Sequence, residues 1–414
     1  MPPSISDKLK SLGVKVGVHA IPPPDEPAIP ETLHSVERAI PGRVIANGGG
    51  ETYLVEAAYP LATPHGHGSL ALDAPLAVIA DWAKDERIGH AAPTAFAFLD
   101  IETTGLSGGS GTYAFLVGVG RYIGGEYHLA QFFLRDPNEE EAQLLALEDF
   151  LAPCEVLVTF NGKSFDAPLL NTRYATHGWR SPLPGMAGLD LLHLARRLWR
   201  DRLPSRTLGT LEVQILGLQR SGEDIPGWLV PQMYFDYIHT RDARPLTGVF
   251  YHNAIDVLSL AALLNHVAHL LADPLNGRAP NDLDWPALGR LFADLGRAEM
   301  AVQLFRRALQ ASLPAELRTK TTNDLSMLHK QRGEWDEALQ LWEQEAQRGA
   351  IYACVELAKF YEHEQRDPGT ALRWTQHALD HLLSPRTPAY ERLQWQDELA
   401  HRCQRLLRKL AAAI

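Results

Sequence analysis

The chain has 414 residues, 45% of them hydrophobic and 21% charged, with a formal net charge of −11. That length exceeds one ordinary core and calls for two or three domains, and that composition belongs to a soluble globular protein. The acidic balance excludes chain-wide attraction to a polyanion, so a nucleic-acid ligand needs a local basic surface and bound cations. Cys154, Cys354 and Cys403 are scattered thiols with no paired spacing, which argues against a disulfide framework or a zinc knuckle. The opening MPPSISDKLK lacks the apolar core of a signal peptide, and no apolar run reads as long enough to span a bilayer. The expected setting is cytoplasmic, without a membrane.

Residues 1–90 read as a Pro/Gly-rich N-terminal extension containing one small hairpin, Arg43–Ala46 and Thr52–Ala57 about the glycine turn of NGGG. His65 and His67 in PHGHG have no carboxylate or cysteine nearby at ligand spacing, so they read as solvated turn residues rather than metal ligands. From Thr94 the pattern sharpens. Thr94–Thr103, TYAFLVGVGRYI and EYHLAQFFLR are three strands joined by glycine turns, the second of them Gly124-Gly125. Asn138–Leu151 follows with acids in its first turn and apolar residues at helical spacing, then the apolar strand Glu155–Asn161. The order strand-strand-strand-helix-strand-helix predicts an α/β domain, a mixed sheet flanked by helices, over residues 91–272. GGSG, within 108–111, lacks the Lys-Ser/Thr of a phosphate loop and leads into a strand, so it reads as a turn.

Three stretches carry chemistry. In FLDIETTGL, strand alternation puts Asp100 and Glu102 on one face and Ile101 on the other, and a hard oxygen pair held so suits Mg²⁺ or Mn²⁺. In NGKSFDAPLL, where a strand hands over to a helix, Asp166 is either the helix N-cap or a third site carboxylate. Phe165 there is core or a stacking surface for a base, and Lys163 is near phosphate or merely exposed. In YHNAIDVLSLAALLNHVAHLL a long helix runs from Ala254, and His252 lies four residues before Asp256, on the same face. An acid among Ile255, Val257 and Leu258 needs a partner or a metal. Between Lys163 and Arg206, residues Arg173, Arg180, Arg196, Arg197, Arg200 and Arg202 make the chain locally basic, either an electrostatic footprint or a solvated helix face. Asp190 precedes LLHLARRLW as its N-cap, with a weaker claim to the site.

Asp100 and Glu102 in FLDIETTGL, Asp166 in NGKSFD and Asp256 in HNAID together resemble the three exonuclease motifs of the DEDD group in the RNase H-like superfamily. Over roughly residues 40–270 the chain is most similar to the YprB-like RNase H-like domain, through LDIETTGLSGGSGTYAFLVGVGRY and HNAIDVLSLAAL. The resemblance implies a 3′–5′ exonuclease on nucleic acid, DNA slightly favoured over RNA, with two Mg²⁺ or Mn²⁺ ions on Asp100, Glu102, Asp166 and Asp256. It also implies substrate contacts at Thr103, Asn161, Lys163, Phe165 and Tyr251. Two ions in such a site activate water and stabilise the leaving 3′ oxygen of an in-line displacement. In the wider group the residue orienting the water is a Tyr four positions before the last Asp or a His five before it. Here the types are exchanged, and His252, whose face matches Asp256, is the assigned base over Tyr251. The competing readings are a structure-selective endonuclease on the same metal site and a non-catalytic nucleic-acid-binding scaffold.

After a polar linker at 273–284, residues 285–414 read as helices only. WPALGRLFADLGRAEMAVQLFRRAL aligns with NDLSMLHKQRGEWDEALQLWEQEA and, more loosely, with CVELAKFYEHEQRDPGTALRWTQHAL. Gly296 and Gly333 fall at one equivalent turn, Ala301, Ala338 and Ala371 at one close-packing position, and Phe305 and Trp342 four further on. The pattern is similar to the tetratricopeptide repeat, and the region reads as a docking surface for a protein partner or as a stabilising appendage that covers the nuclease domain.

Overall fold

A computed structural model describes residues 34–105, 111–222, 224–276, 281–385 and 387–412. The Pro-rich opening through residue 33 and most of the glycine turn, 106–110, lie outside the described residues, as do residues 277–280 of the expected linker. Nine strands are described: β1 (Arg43–Asn47), β2 (Gly50–Pro60), β3 (Pro64–His65), β4 (Gly68–Ser69), β5 (Phe96–Thr103), β6 (Ala114–Ile123), β7 (Glu126–Phe133), β8 (Val156–Thr159) and β9 (Ala187–Asp190). Seven of them form one mixed sheet in the order β1-β2-β7-β6-β5-β8-β9, and β3 pairs with β4. The expected meander is β5-β6-β7, antiparallel throughout, while β8 and β9 join β5 in parallel. Parallel neighbours need crossovers, and the helices Glu140–Leu151 and Asp166–Thr176 lie in them.

The hairpin differs from its expected place in an N-terminal extension. β2 pairs antiparallel with β7 from Tyr53 opposite Phe133 to Pro60 opposite Glu126, so β1 and β2 extend the same sheet. Pro and Gly mark turns in that region without marking a boundary, because the strands between them carry apolar residues such as Tyr53 and Leu54 that are buried in the sheet's packing.

The period of two along β5 sorts its residues between two layers. Phe96 and Phe98 pack into the core that holds Val257, Leu260 and Leu264 of the long helix. Ala97, Leu99 and Ile101 pack against Leu144 and Leu147 of one crossover helix and Leu170 of the other. Asp100 and Glu102 continue the first face, the one the long helix covers. That helix runs Leu246–Ala272, starting eight residues before the expected Ala254 and so containing His252. By length and composition it could cross a membrane, contrary to the expectation that no run is long enough, but 72% of its most apolar window is buried within the chain. It is as apolar as it is because the sheet and the neighbouring helices surround it.

The remainder is helical: Asp284–Asp294, Ala298–Gln310, Ala315–Gln331, Trp335–Gln347, Ile351–His363, Pro368–Leu382 and Ala389–Ala411. Gly296 and Gly333 both turn the chain through positive φ, +72° and +73°, a conformation glycine adopts without strain. Ala301, Ala338 and Ala371 are fully buried, as is Trp342. The helical region shares a core with the sheet region: Trp285, Leu288, Leu291 and Phe292 join Leu194, Leu198 and Trp199 in one cluster. Each such side chain contributes roughly 1.5–3 kcal/mol by burial, so the two regions hold each other.

The basic stretch from Lys163 to Arg206 is largely committed to internal pairs. Arg173 forms a buried fork with Glu140 at 2.5 Å on both oxygens. Arg197 pairs with Asp294, and Arg202 with Asp284 at 2.9 Å, so both tie the sheet region to the helical one. Composition alone does not reveal that these charges already have partners.

Candidate active site

Asp100, Glu102 and Asp166 line one cavity of about 560 Å³, together with Thr103, Asn161 and Phe165. Asp100 and Glu102 are held by β5 opposite Gly118 and Leu116 of β6. Asp166 is the first residue of its helix, whose N-cap position belongs to Phe165, so of the two readings the structure favours a carboxylate in the cavity over a cap. Phe165 is exposed, not core, and Trp228, in the turn between the cavity residues Gly227 and Pro231, is more exposed still. The loop before Asp166 is pinned from beneath. The Asp190 carboxylate accepts the amides of Asn161 at 2.8 Å and Lys163 at 3.2 Å while capping its own helix through Leu192 at 3.0 Å. Asn161 itself sits at φ +65°, a left-handed position that Asn tolerates.

Asp256 approaches from the long helix. Burial raises Asp100 and Glu102 well above the usual carboxylate range, and the charge of Asp256 adds to both. Burial, then Asp190 and Asp256, pushes Asp166 up to about 7. Burial also raises Asp256, against the opposing influence of Arg220 and His252. Four acids from three elements therefore sit within electrostatic reach of one another in a poorly solvated place, where they favour either protons or cations. Their all-oxygen donor set fits a hard divalent ion. Among the described residues no three His, Cys, Asp or Glu side chains form a ready metal cage in this conformation.

Several residues that the sequence did not single out shape the site. Asn253, fully buried, donates to the Asp100 carboxylate at 2.9 Å and accepts from Gln131 at 2.9 Å. Gly118 makes room for it, since a Cβ there would lie 2.2 Å from Asn253 Oδ1. Arg220 donates to Glu212 through Nε at 2.6 Å and Nη2 at 2.7 Å, and Nη2 also reaches Asp256. Ser259 donates to Glu212 at 2.7 Å, and His65 Nε2 lies 2.8 Å from Ser259 Oγ. His65 is thus a buried member of a polar chain, not the solvated turn residue expected from PHGHG, because β3 folds it under the long helix. Glu212 lies on the apolar face that Leu208, Leu211, Ile215 and Leu216 mark at helical spacing, the signal that could have found it, whereas Arg220 lies in the irregular chain after that helical stretch.

His252 Nε2 lies 3.8 Å from Asp256 Oδ2, and its Nδ1 lies 2.7 Å from Asp224 Oδ1. The Tyr251 hydroxyl accepts the amide of Ser221 at 2.8 Å. Neither Tyr251 nor Lys163 is among the residues that line the cavity, and Lys163 is exposed.

A mixed sheet with acids on an inner strand and on the covering helix defines a protein of the RNase H class. A model of the RNase_H superfamily matches residues 97–268, a span that contains all four acids. The chain is also similar to a Bacillus subtilis (strain 168) protein described as uncharacterized protein YprB, 34% identical over 338 residues, which cover 78% of this chain and 79% of the relative. It belongs to the YprB family, within that superfamily. Membership points to nuclease-type chemistry on nucleic acid, and RNase H-like nucleases generally use divalent metals.

Proposed function

We propose that the protein is a divalent-metal-dependent 3′–5′ exonuclease of the DEDD type, with DNA slightly favoured over RNA. The observation that carries this reading is the gathering of Asp100, Glu102, Asp166 and Asp256, half-buried and mutually repelling, beside a cavity with exposed aromatic residues at its edge. Those four acids would hold Mg²⁺ or Mn²⁺, which supplies Lewis acidity at the phosphate and lowers the pKa of bound water. Asn253 fixes the orientation of Asp100. His252 is the proton acceptor of this scheme. Its Nδ1 lies between the Asp224 carboxylate at 2.7 Å and Arg220 Nη1 at 3.1 Å, while Nε2 lies 3.8 Å from where a Cβ on the cavity residue Gly227 would be. Phe165 and Trp228 offer faces on which the terminal bases of a single strand stack.

The helical region is proposed to be a tetratricopeptide-like array that docks a protein partner. Its support is the equivalence of Gly296 with Gly333 and of Ala301 with Ala338 and Ala371, together with the exposed Tyr390, Leu393 and Leu407 on the last helix.

The test is a time course on 5′-labelled and 3′-labelled single-stranded DNA and RNA with Mg²⁺ or Mn²⁺, beside Asp100→Asn. A ladder shortening from the 3′ end and absent in the variant is the expected outcome. Internal fragments would instead support an endonuclease, and equal cleavage by the variant would remove Asp100 from the chemistry.

A further inference from the structure

The acid site contains one cation of its own. Arg220 lies between two carboxylates, the buried Glu212 and the site acid Asp256, and its Nη2 donates to both. Nη1 reaches Asp224 at 3.3 Å and His252 Nδ1 at 3.1 Å. The guanidinium therefore fills the space between the last acid and the assigned base.

Its anchorage does not depend on Asp256. Glu212 is 1% exposed, and a buried carboxylate without a partner is strongly unfavourable. Arg220 supplies that partner through two N–H groups, and the Ser259 hydroxyl takes a further acceptor position on Oε1. The chain around Arg220 is held as well. Gly217 turns it at φ +68°, with the His67 ring so close that a Cβ there would lie 2.0 Å from Nε2, and the Ser221 amide donates to Tyr251. A cation fixed in this way remains on Asp256 unless something stronger displaces it. The cavity lining agrees, for Asp100, Glu102 and Asp166 all face it while Asp256 does not.

We propose that Arg220 is a built-in cation that holds Asp256 in place of a second metal ion. The folded protein then takes one divalent ion at Asp100, Glu102 and Asp166, and a second only by displacing the guanidinium from Asp256. The inference rests on the metal-dependent reading above and refines its two-ion scheme. Guanidinium is always charged and offers several donors in one plane, so it satisfies Asp256 without the exchange with solvent that a bound ion undergoes.

The experiment is a titration of metal-free protein with Mn²⁺, following free Mn²⁺ by electron paramagnetic resonance. The wild type is expected to bind one ion tightly and a second more weakly by about ten- to a hundredfold, the weight of one charge-assisted hydrogen bond. Replacing Arg220 alone strands the Glu212 charge, so the decisive variant is Arg220→Gln with Glu212→Gln, its folding checked by circular dichroism. A variant that does not fold is replaced by Arg220→Lys, which lacks the planar fork that grips Glu212 through Nε and Nη2, so it holds Asp256 less firmly and should also tighten the second ion. In the folded variant the second ion should tighten by that same factor, and adding Asp256→Asn should remove it. Two equally tight ions in the wild type, or a second ion unchanged or weakened in the variant, would overturn the inference while leaving the nuclease reading intact. No Mn²⁺ bound by any of these proteins would overturn both.

Discussion

Asp190→Asn isolates what holds the Asp166 loop in place. The aspartate Oδ1 accepts the amides of Asn161 and Leu192, and Oδ2 accepts that of Lys163. Asparagine keeps an oxygen for the first two but turns an NH₂ toward the third, leaving that amide unpaired and the other two bonded to a neutral oxygen. One lost charge-assisted bond is about 1.5–3 kcal/mol and two weakened ones about 0.5–1 more, for a loss of roughly 2–4 kcal/mol. The substitution also removes the charge that, after burial, does most to raise Asp166. Relief of that repulsion offsets part of the loss at neutral pH. Urea unfolding in EDTA at pH 7, followed by tryptophan fluorescence, measures the first effect, and carboxyl NMR of Asp166 the second. A stability loss below about 0.5 kcal/mol, within the range of ordinary surface substitutions, would refute the three-donor account. An Asp166 that titrates unchanged would refute the charge coupling.

Metal-free protein should lose stability as pH rises. Asp166 titrates at about 7 in the fold against 3.8 normally, so the folded state holds a proton that the unfolded chain has released. That contribution is whole below about pH 4 and gone once pH passes about 7, up to about 4 kcal/mol for such a shift. Calorimetry in EDTA from pH 5 to 8 should show a falling Tm that Mg²⁺ restores, and a Tm that rises across this window would contradict it. Gly118→Ala should displace Asn253 from Asp100 and Gln131, lowering stability by about 1–3 kcal/mol and slowing cleavage. If melting and rate both stay at wild-type values, Asn253 is not the clamp described. Phe165→Ala and Trp228→Ala should each raise KM for single-stranded substrate by about tenfold, the weight of one base stack, with melting unaltered. A change confined to kcat would count against stacking.

The pairing of Asp100 with Glu102 was legible because strand alternation fixes which residues share a face, and β5 obeys it through Phe96 and Phe98. Asp256 was legible because an acid amid Ile255, Val257 and Leu258 demands a partner. Glu212 sits among Leu208, Leu211, Ile215 and Leu216 at helical spacing and so demanded a partner in the same way, but that the partner is Arg220 is decided by tertiary placement of irregular chain. The arginines after Lys163 show the same gap from the other side. Arg173 and Arg202 looked available in the sequence, yet both are paired with acids distant along the chain, Glu140 and Asp284. The hairpin was legible as a hairpin, but its attachment was not, because the pairing of β2 with β7 spans a sequence separation that local pattern does not reach.

The helix Leu191–Trp199 touches both ends of the molecule's business. Its first turn is capped by Asp190, which carries the loop of Asn161 and Lys163, while Arg197 and Trp199 at its far end sit against the helical region. Nine residues at about 1.5 Å rise make a strut of roughly 13 Å. A tilt of the Asp284–Asp294 helix would push on that strut, and the push would arrive beneath the loop that leads into Asp166. The position of one region and the geometry of the other thus share a single unbroken helix from its Asp190 cap to Trp199.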